Sequence, residues 1–597
     1  MTLQDNKKGE IKLKGIAASP GIAIGKILIM GHDHLKVSRQ KISQEEIERE
    51  IDKFYQAIEK AKFELESLVN KSRKAIGEEG AKIFKVHQTM LEDPMVLEET
   101  EKNIRKEQKS ADRAFKDSIE KFESALEEMK TEYFRTRTAD LQDLKRRIIG
   151  HIQESSPSTI NQLTEPAIVF AKELTPSDTV ALDADKVLGF AMDFGGRTSH
   201  ATIVARSMKV PAVVGLHTAH SYIQEGDLVI LDGNIGTFIV NPNSKTRSKY
   251  QKRLRVYEEF IRRLDEARDL PARTKDGKDI ELSSNIEFPM EVENVLSTGG
   301  KGIGLYRTEY LYLADTELPS EEEQFIEYKK ILEKLKGQPV IIRTFDLGGD
   351  KPPKSIKLPA ERNPFLGLRG ARLYSDLGEN LFRTQLRAIL RASVHGNPLI
   401  MFPMITCVHE MRFCQNVLDK VREELSQEGH SFAEHIPVGA MIEVPAAALI
   451  ADLIARECDF LSIGTNDLVQ YTTAVDRGNE NISYLYQTFN PAVVRFIREI
   501  IQKGHEQGKW VGMCGEMASD PLATMMLIGM GLDEFSVSPV SLLLIKEIIR
   551  RVDVNECENL VEKVFSYNTT AEIEDYLRTV YQKKFKNLVY RDLLKST

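Results

Sequence analysis

Cysteine is scarce in this chain. The five residues (Cys407, Cys414, Cys458, Cys514 and Cys557) are odd in number and show no CxxC spacing. That excludes a disulfide scaffold and points to reduced thiols and a cytoplasmic protein. No run of eighteen apolar residues occurs, so no membrane span is expected, and the opening MTLQDNKKGEIKLKG lacks the apolar centre of a signal peptide. There is no basic excess either: a formal charge of −8 argues against a nucleic-acid partner, which would need a concentrated basic patch. A nucleotide-binding loop is also missing. Gly25-Lys26 invites that reading, but no glycine stands five positions upstream and Ile27 replaces the required Ser or Thr. What remains, at 41% hydrophobic and 29% charged residues, is an ordinary globular composition, and 597 residues are too many for one domain.

Taken in order, the chain changes texture four times. Residues 10–30 run apolar with glycine breaks and predict short strands. From Ser43, a capping box with Glu46 opens a helix whose Ile47, Ile51, Phe54, Ile58, Ala61, Leu65 and Leu68 recur at three–four spacing. Further helices are predicted over 78–91, stopped by Asp93-Pro94, from about 110 (Phe115, Ile119, Phe122, Leu126 and Met129 on one face) and over 138–152, which together make a small bundle. Strand texture returns after Pro166. Residues 1–30 and 156–242 are therefore expected to form one α/β domain, with the bundle, 31–155, inserted into it. Residues 243–272 are charged and helical, long enough at 1.5 Å per residue to span about 40 Å, and lack Gly-Ser flexibility. They predict a linker helix to a last domain, 273–597.

Within the α/β domain one stretch gathers reactive groups. The apolar lead-in 187–192 predicts a buried strand, Gly195-Gly196 breaks it, and Thr198 and Ser199 are good helix caps. His200 thus falls at a helix start, where orphan N–H groups favour an anion, with the fixed charge of Arg197 beside it. A histidine on a capping turn is often incidental. Two glycines, an arginine, two hydroxyls and the histidine within six positions instead suit an imidazole that takes and carries a phosphoryl group.

From Asp279 onward, apolar runs alternate with helical stretches eight times, with strands predicted at 280–284, 302–305, 340–342, 399–402, 438–442, 460–463, 510–513 and 534–537. That is the pattern of a (β/α)8 TIM barrel, whose chemistry sits at the carboxy ends of the strands. Reactive residues fall at those ends: Arg307, Arg343, Glu443, the Gly464-Thr465-Asn466-Asp467 turn, and Cys514-Gly515-Glu516. Glu443 and Asp467 are hard oxygen donors on adjacent strands and suit Mg²⁺. Arg307, Arg343 and Arg477 can hold phosphate and carboxylate bidentately, with Arg369 a weaker fourth and Asn466 reaching the same anion.

GGRTSHATIVARS, followed by VPAVVG, resembles the phosphohistidine segment of the phosphoenolpyruvate-utilising enzymes. GIGLYRTEYLY, VIIRTFDLGGDKP, NPFLGLRG, MIEVPAA, GTNDLVQYTTAVDR and GMCGEMASD resemble the barrel motifs of the same family, and the likeness extends over roughly residues 11–551. It is closest to the branch serving the bacterial sugar phosphotransferase system. The resemblance implies that His200 carries the phosphoryl group and that Thr179 orients its ring. It implies that Glu443 and Asp467 bind Mg²⁺, that Arg307, Arg343, Arg477 and Asn466 hold phosphoenolpyruvate, and that Cys514 protonates the product enolate. It further implies that the bundle docks the carrier protein HPr and that the barrel joins a homodimer. Ala201 and Thr138 depart from the residues usual in the family (Thr and Ala respectively). Two rivals remain: a pyruvate phosphate dikinase or phosphoenolpyruvate synthase, which needs a nucleotide-binding region that has no counterpart here, and a silent regulatory relative, which has no need to keep every strand-end residue. A sensory domain before residue 11, as in the nitrogen branch, is not expected.

Overall fold

The computed structural model describes residues 9–30, 41–91, 94–127, 144–153, 165–195 and 210–585, except 173, 175–185, 314–317, 350–358, 360, 375–377 and 480, together with the single residues 141, 202, 205 and 208. They fall into two compact units, Met1–Phe260 and Ile261–Val589.

The first unit holds an eight-stranded sheet: β1 (Ile11–Lys14), β2 (Ile16–Ser19), β3 (Ile22–Met30), β4 (Ala167–Ala171), β5 (Val187–Met192), β6 (Ala212–Val214), β7 (Leu228–Asp232) and β8 (Thr237–Val240), in the order β1-β8-β7-β3-β4-β5-β6-β2. The run β3-β4-β5-β6 is parallel and the remaining pairs are antiparallel. Strands β4, β5 and β6 of the parallel run are buried on both faces. Val169 and Phe190 pack on one side, while Ile168, Phe170 and Ala191 pack on the other, which is why these segments read as unbroken apolar runs. Each aromatic side chain buried this way contributes about 1.5–3 kcal/mol.

Between β3 and β4 lies the helical bundle, with helices Ile47–Leu91, Pro94–Glu107, Ala111–Glu127 and a further one over 144–152. The carboxylate of Glu46 accepts from the backbone and hydroxyl of Ser43 at 2.8 Å each, so the capping box forms. Ile47, Ile51, Phe54, Ile58, Ala61 and Leu65 enter the bundle core with Phe115 and Ile119. Two details differ from the sequence reading. The expected helices at 47–68 and 78–91 are one continuous helix of 45 residues. Gly77 and Gly80 invite a break, but a glycine costs only about 1 kcal/mol in a helix interior, which good helix-formers on either side offset. Pro94, read as a stop, instead opens a helix. At the first helical position its missing N–H would have had no partner anyway.

Helix Ser244–Glu266 leaves the sheet with Tyr250, Leu254 and Tyr257 packed on Ile22, Ile24, Ile230 and Ile239. Arg253 reaches the buried Asp232 at 2.7 Å and stacks on Tyr250.

The second unit is a closed, all-parallel barrel: β9 (Glu281–Ile286), β10 (Ile303–Arg307), β11 (Pro339–Arg343), β12 (Asn397–Phe402), β13 (Val438–Ile442), β14 (Phe460–Ile463), β15 (Trp510–Met513) and β16 (Glu534–Val537), with β16 pairing back onto β9. The expected fold class, an α/β part with an inserted bundle followed by a TIM barrel, is borne out. Beyond the last strand, helices Val554–Val564 and Thr570–Lys584 pack on helix Pro521–Gly529.

Candidate active site

A pocket opens at the carboxy ends of the barrel strands. Arg307 and Arg343 close β10 and β11, Glu443 follows β13, Asn466 and Asp467 follow β14, and Cys514 follows β15; all six line it, with Arg369, Arg477 and Asp346. Every barrel residue given a role from the sequence is therefore gathered in one place. Asn466 and Asp467 stand in the first turn of helix Thr465–Thr473, where backbone N–H groups without helical partners favour an anion. Two turns meet here closely enough to require glycine. A β-carbon at Gly515 would stand 1.9 Å from Thr465 Oγ1, and one at Gly464 would stand 2.8 Å from Glu443 Oε2.

The electrostatics are those of alternating buried charges. Arg343 is 7% exposed; its Nη2 lies 3.0 Å from Glu309 and its Nη1 3.4 Å from Asp346. Burial alone would push its pKa down, but the carboxylates of Glu309, Asp346 and Glu443 more than offset this and raise it. Arg369 sits deeper, at 4% exposure. It grips Asp346 with Nε and Nη2 at 3.2 and 2.7 Å, and Asp467 with Nη1 and Nη2 at 3.1 and 3.4 Å. The Tyr471 hydroxyl accepts from Arg369 at 3.1 Å and donates to Phe365 O at 2.6 Å. So Arg369, read from the sequence as the weakest of four arginines, is the one most completely tied to the carboxylates. Glu443 accepts from Met404 N at 2.7 Å, and its carboxyl is held well above the ordinary range by burial, then by the charges of Asp467 and Asp346, with Arg343 and Arg369 opposing. Asn466 Oδ1 accepts from Glu516 N at 2.9 Å, which leaves its amide group turned away from that turn. The Cys514 thiol is pushed up to about 11, chiefly by burial.

Glu309 and Asp346 were not given roles from the sequence, although both stand at the strand ends beside arginines that were. The readable signal for Asp346 was its place three residues past Arg343, within the same glycine-rich turn.

Thr179, Arg197 and His200 lie outside the described residues. The chain that leads into that segment is β5, followed by Asp193, which is fully buried and accepts from Ala219 N at 2.7 Å, with His220 Nδ1 2.5 Å from its other oxygen. Gly195 follows at φ +114°, a conformation that favours glycine.

A parallel barrel with arginines and carboxylates interleaved at the carboxy ends of its strands is the arrangement of a TIM-barrel enzyme whose pocket suits a small anionic substrate. Comparison with known proteins places it more closely. Residues 262–554 match the family described as PEP-utilising enzyme, PEP-binding domain; residues 14–137 match its N-terminal domain and 163–236 its mobile domain. The chain is 44% identical to a phosphoenolpyruvate-protein phosphotransferase of Priestia megaterium, over 96% of this chain and 99% of that one. It is 43% identical to the protein of that name from Bacillus subtilis (96% and 100%) and 41% identical to that from Staphylococcus carnosus (94% and 98%). Among solved structures, a solution structure of Enzyme I (nEIt) is 42% identical, covering 41% of this chain and 99% of its own, with a TM-score of 0.36. The chain belongs to the phosphoenolpyruvate-utilising enzymes, in the branch of the phosphoenolpyruvate-protein phosphotransferases.

Proposed function

We propose that this protein transfers the phosphoryl group of phosphoenolpyruvate to its own His200 and then to a histidine of the carrier protein HPr, the first step of sugar uptake by the phosphotransferase system. The convergence of Arg307, Arg343, Arg369 and Arg477 with Glu443, Asp467, Asn466 and Cys514 on one pocket carries the reading. Arg307, Arg343 and Arg477 hold the phosphate and carboxylate of the substrate, and Asn466 adds a hydrogen bond to the same anion. His200 attacks phosphorus: the N–P bond forms, the bond from phosphorus to the enol oxygen breaks, and enolpyruvate is left. The arginines stabilise the charge on the transferring oxygens. Cys514, whose raised pKa keeps it a thiol at neutral pH, gives its proton to C3 and pyruvate forms.

The residues fit a Mg²⁺ ion. Among the described residues no group of three acidic, histidine or cysteine side chains stands together as a ready-made metal site. Glu443 and Asp467 nevertheless offer two hard oxygens at the pocket; burial raises the Glu443 carboxyl first and repulsion from Asp467 second, and a cation relieves that repulsion. Two carboxylates with substrate oxygens completing the shell is how proteins usually hold this ion. Bound there, Mg²⁺ would neutralise charge on the phosphoryl and enolate oxygens.

The bundle is the docking site for HPr in this reading, the barrel unit joins a homodimer, and the protein works in the cytoplasm. Among the described residues no helix is long and apolar enough to cross a membrane. Incubation with ³²P-phosphoenolpyruvate and Mg²⁺, without nucleotide, tests the core of the proposal. Acid-labile, base-stable label that is lost in His200→Ala is expected. No label without ATP would move the assignment to a dikinase or synthase, and no label under any condition to a regulatory protein.

A further inference from the structure

A thiol that gives up its proton must leave a thiolate behind, and the barrel interior is a poor place for one. Cys514 is 2% exposed and shares a cluster with Leu305, Ile341, Met401, Met441 and Phe460, none of which can donate a hydrogen bond. One neighbour can. Ser462, on the adjacent strand β14 and fully buried, directs its hydroxyl at Cys514 Sγ from 3.4 Å. The two strands are locked in register there: Ser462 pairs with Gly512 and Ile463 with Met513, and Cys514 N donates to Ile463 O at 3.2 Å. A buried hydroxyl costs free energy unless it has a partner, and the sulfur accepts from this one.

We propose that Ser462 is a positioning residue for the protonation step: its hydroxyl aims the Cys514 thiol and stabilises the thiolate left when C3 takes the proton. The inference rests on the reading of Cys514 as the acid. In that step the S–H bond breaks and its electron pair stays on sulfur. The C2=C3 pair of the enolate forms the new C–H bond as the C2–O bond becomes a carbonyl. The negative charge passes from enolate to sulfur. Water entering the open pocket then returns a proton to the sulfur. Besides Ser462, three ionisable groups act on the thiol from other strands. Arg343 on β11 favours the thiolate, while Glu443 after β13 and Glu534 on β16 oppose it when they are ionised. Ser462 thus supplies a stabilisation that the net charge of the surroundings does not guarantee. Arg343 cannot replace it, because its guanidinium is committed to Glu309, Asp346 and the substrate.

The test follows deuterium entry into the methyl group of pyruvate in D₂O, the reverse of the protonation step, which needs the thiolate as base. Alongside it, the pH profile of iodoacetamide alkylation at Cys514 is read by peptide mass spectrometry in the full-length protein. Ser462→Ala is expected to shift the alkylation profile upward and to slow exchange roughly tenfold for each pH unit of that shift. Ser462→Thr, which keeps the hydroxyl, should restore both. Ser462→Cys, close in volume but a weak donor, should behave like the alanine variant, so a packing defect in Ser462→Ala cannot by itself produce the pattern. Phosphorylation of His200 in a single turnover precedes protonation and should be unchanged. An Ala variant with the parent profile and parent exchange overturns the proposal, as does a Thr variant that matches Ala in both. Cys514→Ser separates this failure from the larger one. If exchange persists without the thiol, Cys514 is not the acid. If exchange vanishes there but is untouched in Ser462→Ala, only the role of Ser462 is lost.

Discussion

Glu534 is a carboxyl group folded into the barrel, and its replacement by glutamine should make stability less dependent on pH. Its two oxygens occupy space left open by two glycines: β-carbons at Gly304 and Gly512 would stand 2.1 and 2.2 Å from them. Oε2 has no hydrogen-bond partner among the described residues, and burial raises the carboxyl from its ordinary 4.5 to about 8, with the Ser283 hydroxyl opposing the shift. Because the folded value lies above the unfolded one, the sign is the reverse of the usual carboxylate. Below pH 4.5 both states hold the proton, and Glu534 imposes no pH-dependent cost. Between 4.5 and 8 the unfolded chain ionises while the folded barrel keeps its proton, so stability falls as pH rises and levels off above 8. At about 1.4 kcal/mol per unit, the stretch from pH 5.5 to 8 is worth about 3 kcal/mol. Glu534→Gln removes this term. The amide brings a constant offset of its own, so the quantity to follow is the difference between variant and parent, which should grow by about 3 kcal/mol across that range. The chain provides its own probe. Its single tryptophan, Trp510, stands at the start of β15 and stacks on Phe460 at 4.5 Å, so its fluorescence in urea reports the barrel rather than the other unit. A difference that stays flat from pH 5.5 to 8 would mean that Glu534 is already charged in the folded barrel, and the reasoning would be refuted.

Two further predictions concern function. Arg369→Lys keeps the charge but loses the fork that grips Asp346 and Asp467 together, and should lower kcat/KM for phosphoenolpyruvate by roughly 10²-fold or more, about 3 kcal/mol, as expected when a buried pair loses its geometry; a change under threefold in steady-state loading would contradict the central place given to this residue. A cross-link that fixes helix Ser244–Glu266 should block loading from phosphoenolpyruvate yet spare transfer to HPr from enzyme phosphorylated beforehand, since in the proposed mechanism one histidine serves two partners and so needs a hinge; loading that survives the lock would rule out a hinge there.

How much of this was legible in the residues differs between the two levels of structure. The barrel was, because strands of an all-parallel sheet are buried on both faces and announce themselves as short apolar runs. Val438–Ile442, Phe460–Ile463, Trp510–Met513 and Glu534–Val537 have the bounds read from the sequence. Arg307, Arg343, Glu443 and Cys514 were legible too, because each ends its strand or directly follows it. Local signals failed where they were ambiguous: Pro94 can end a helix or begin one, and Gly77 and Gly80 can break a helix or be carried by it.

What no stretch of sequence contains is the pairing of distant groups. Arg369 and Asp467 are 98 positions apart, Arg343 ends β11 while Glu309 follows β10, and Ser462 meets Cys514 across 52 residues. Local propensity depends on near neighbours and can be read from them. Which buried charge faces which, and which hydroxyl faces a thiol, is decided only when β16 closes onto β9 and low-dielectric surroundings make each such meeting count.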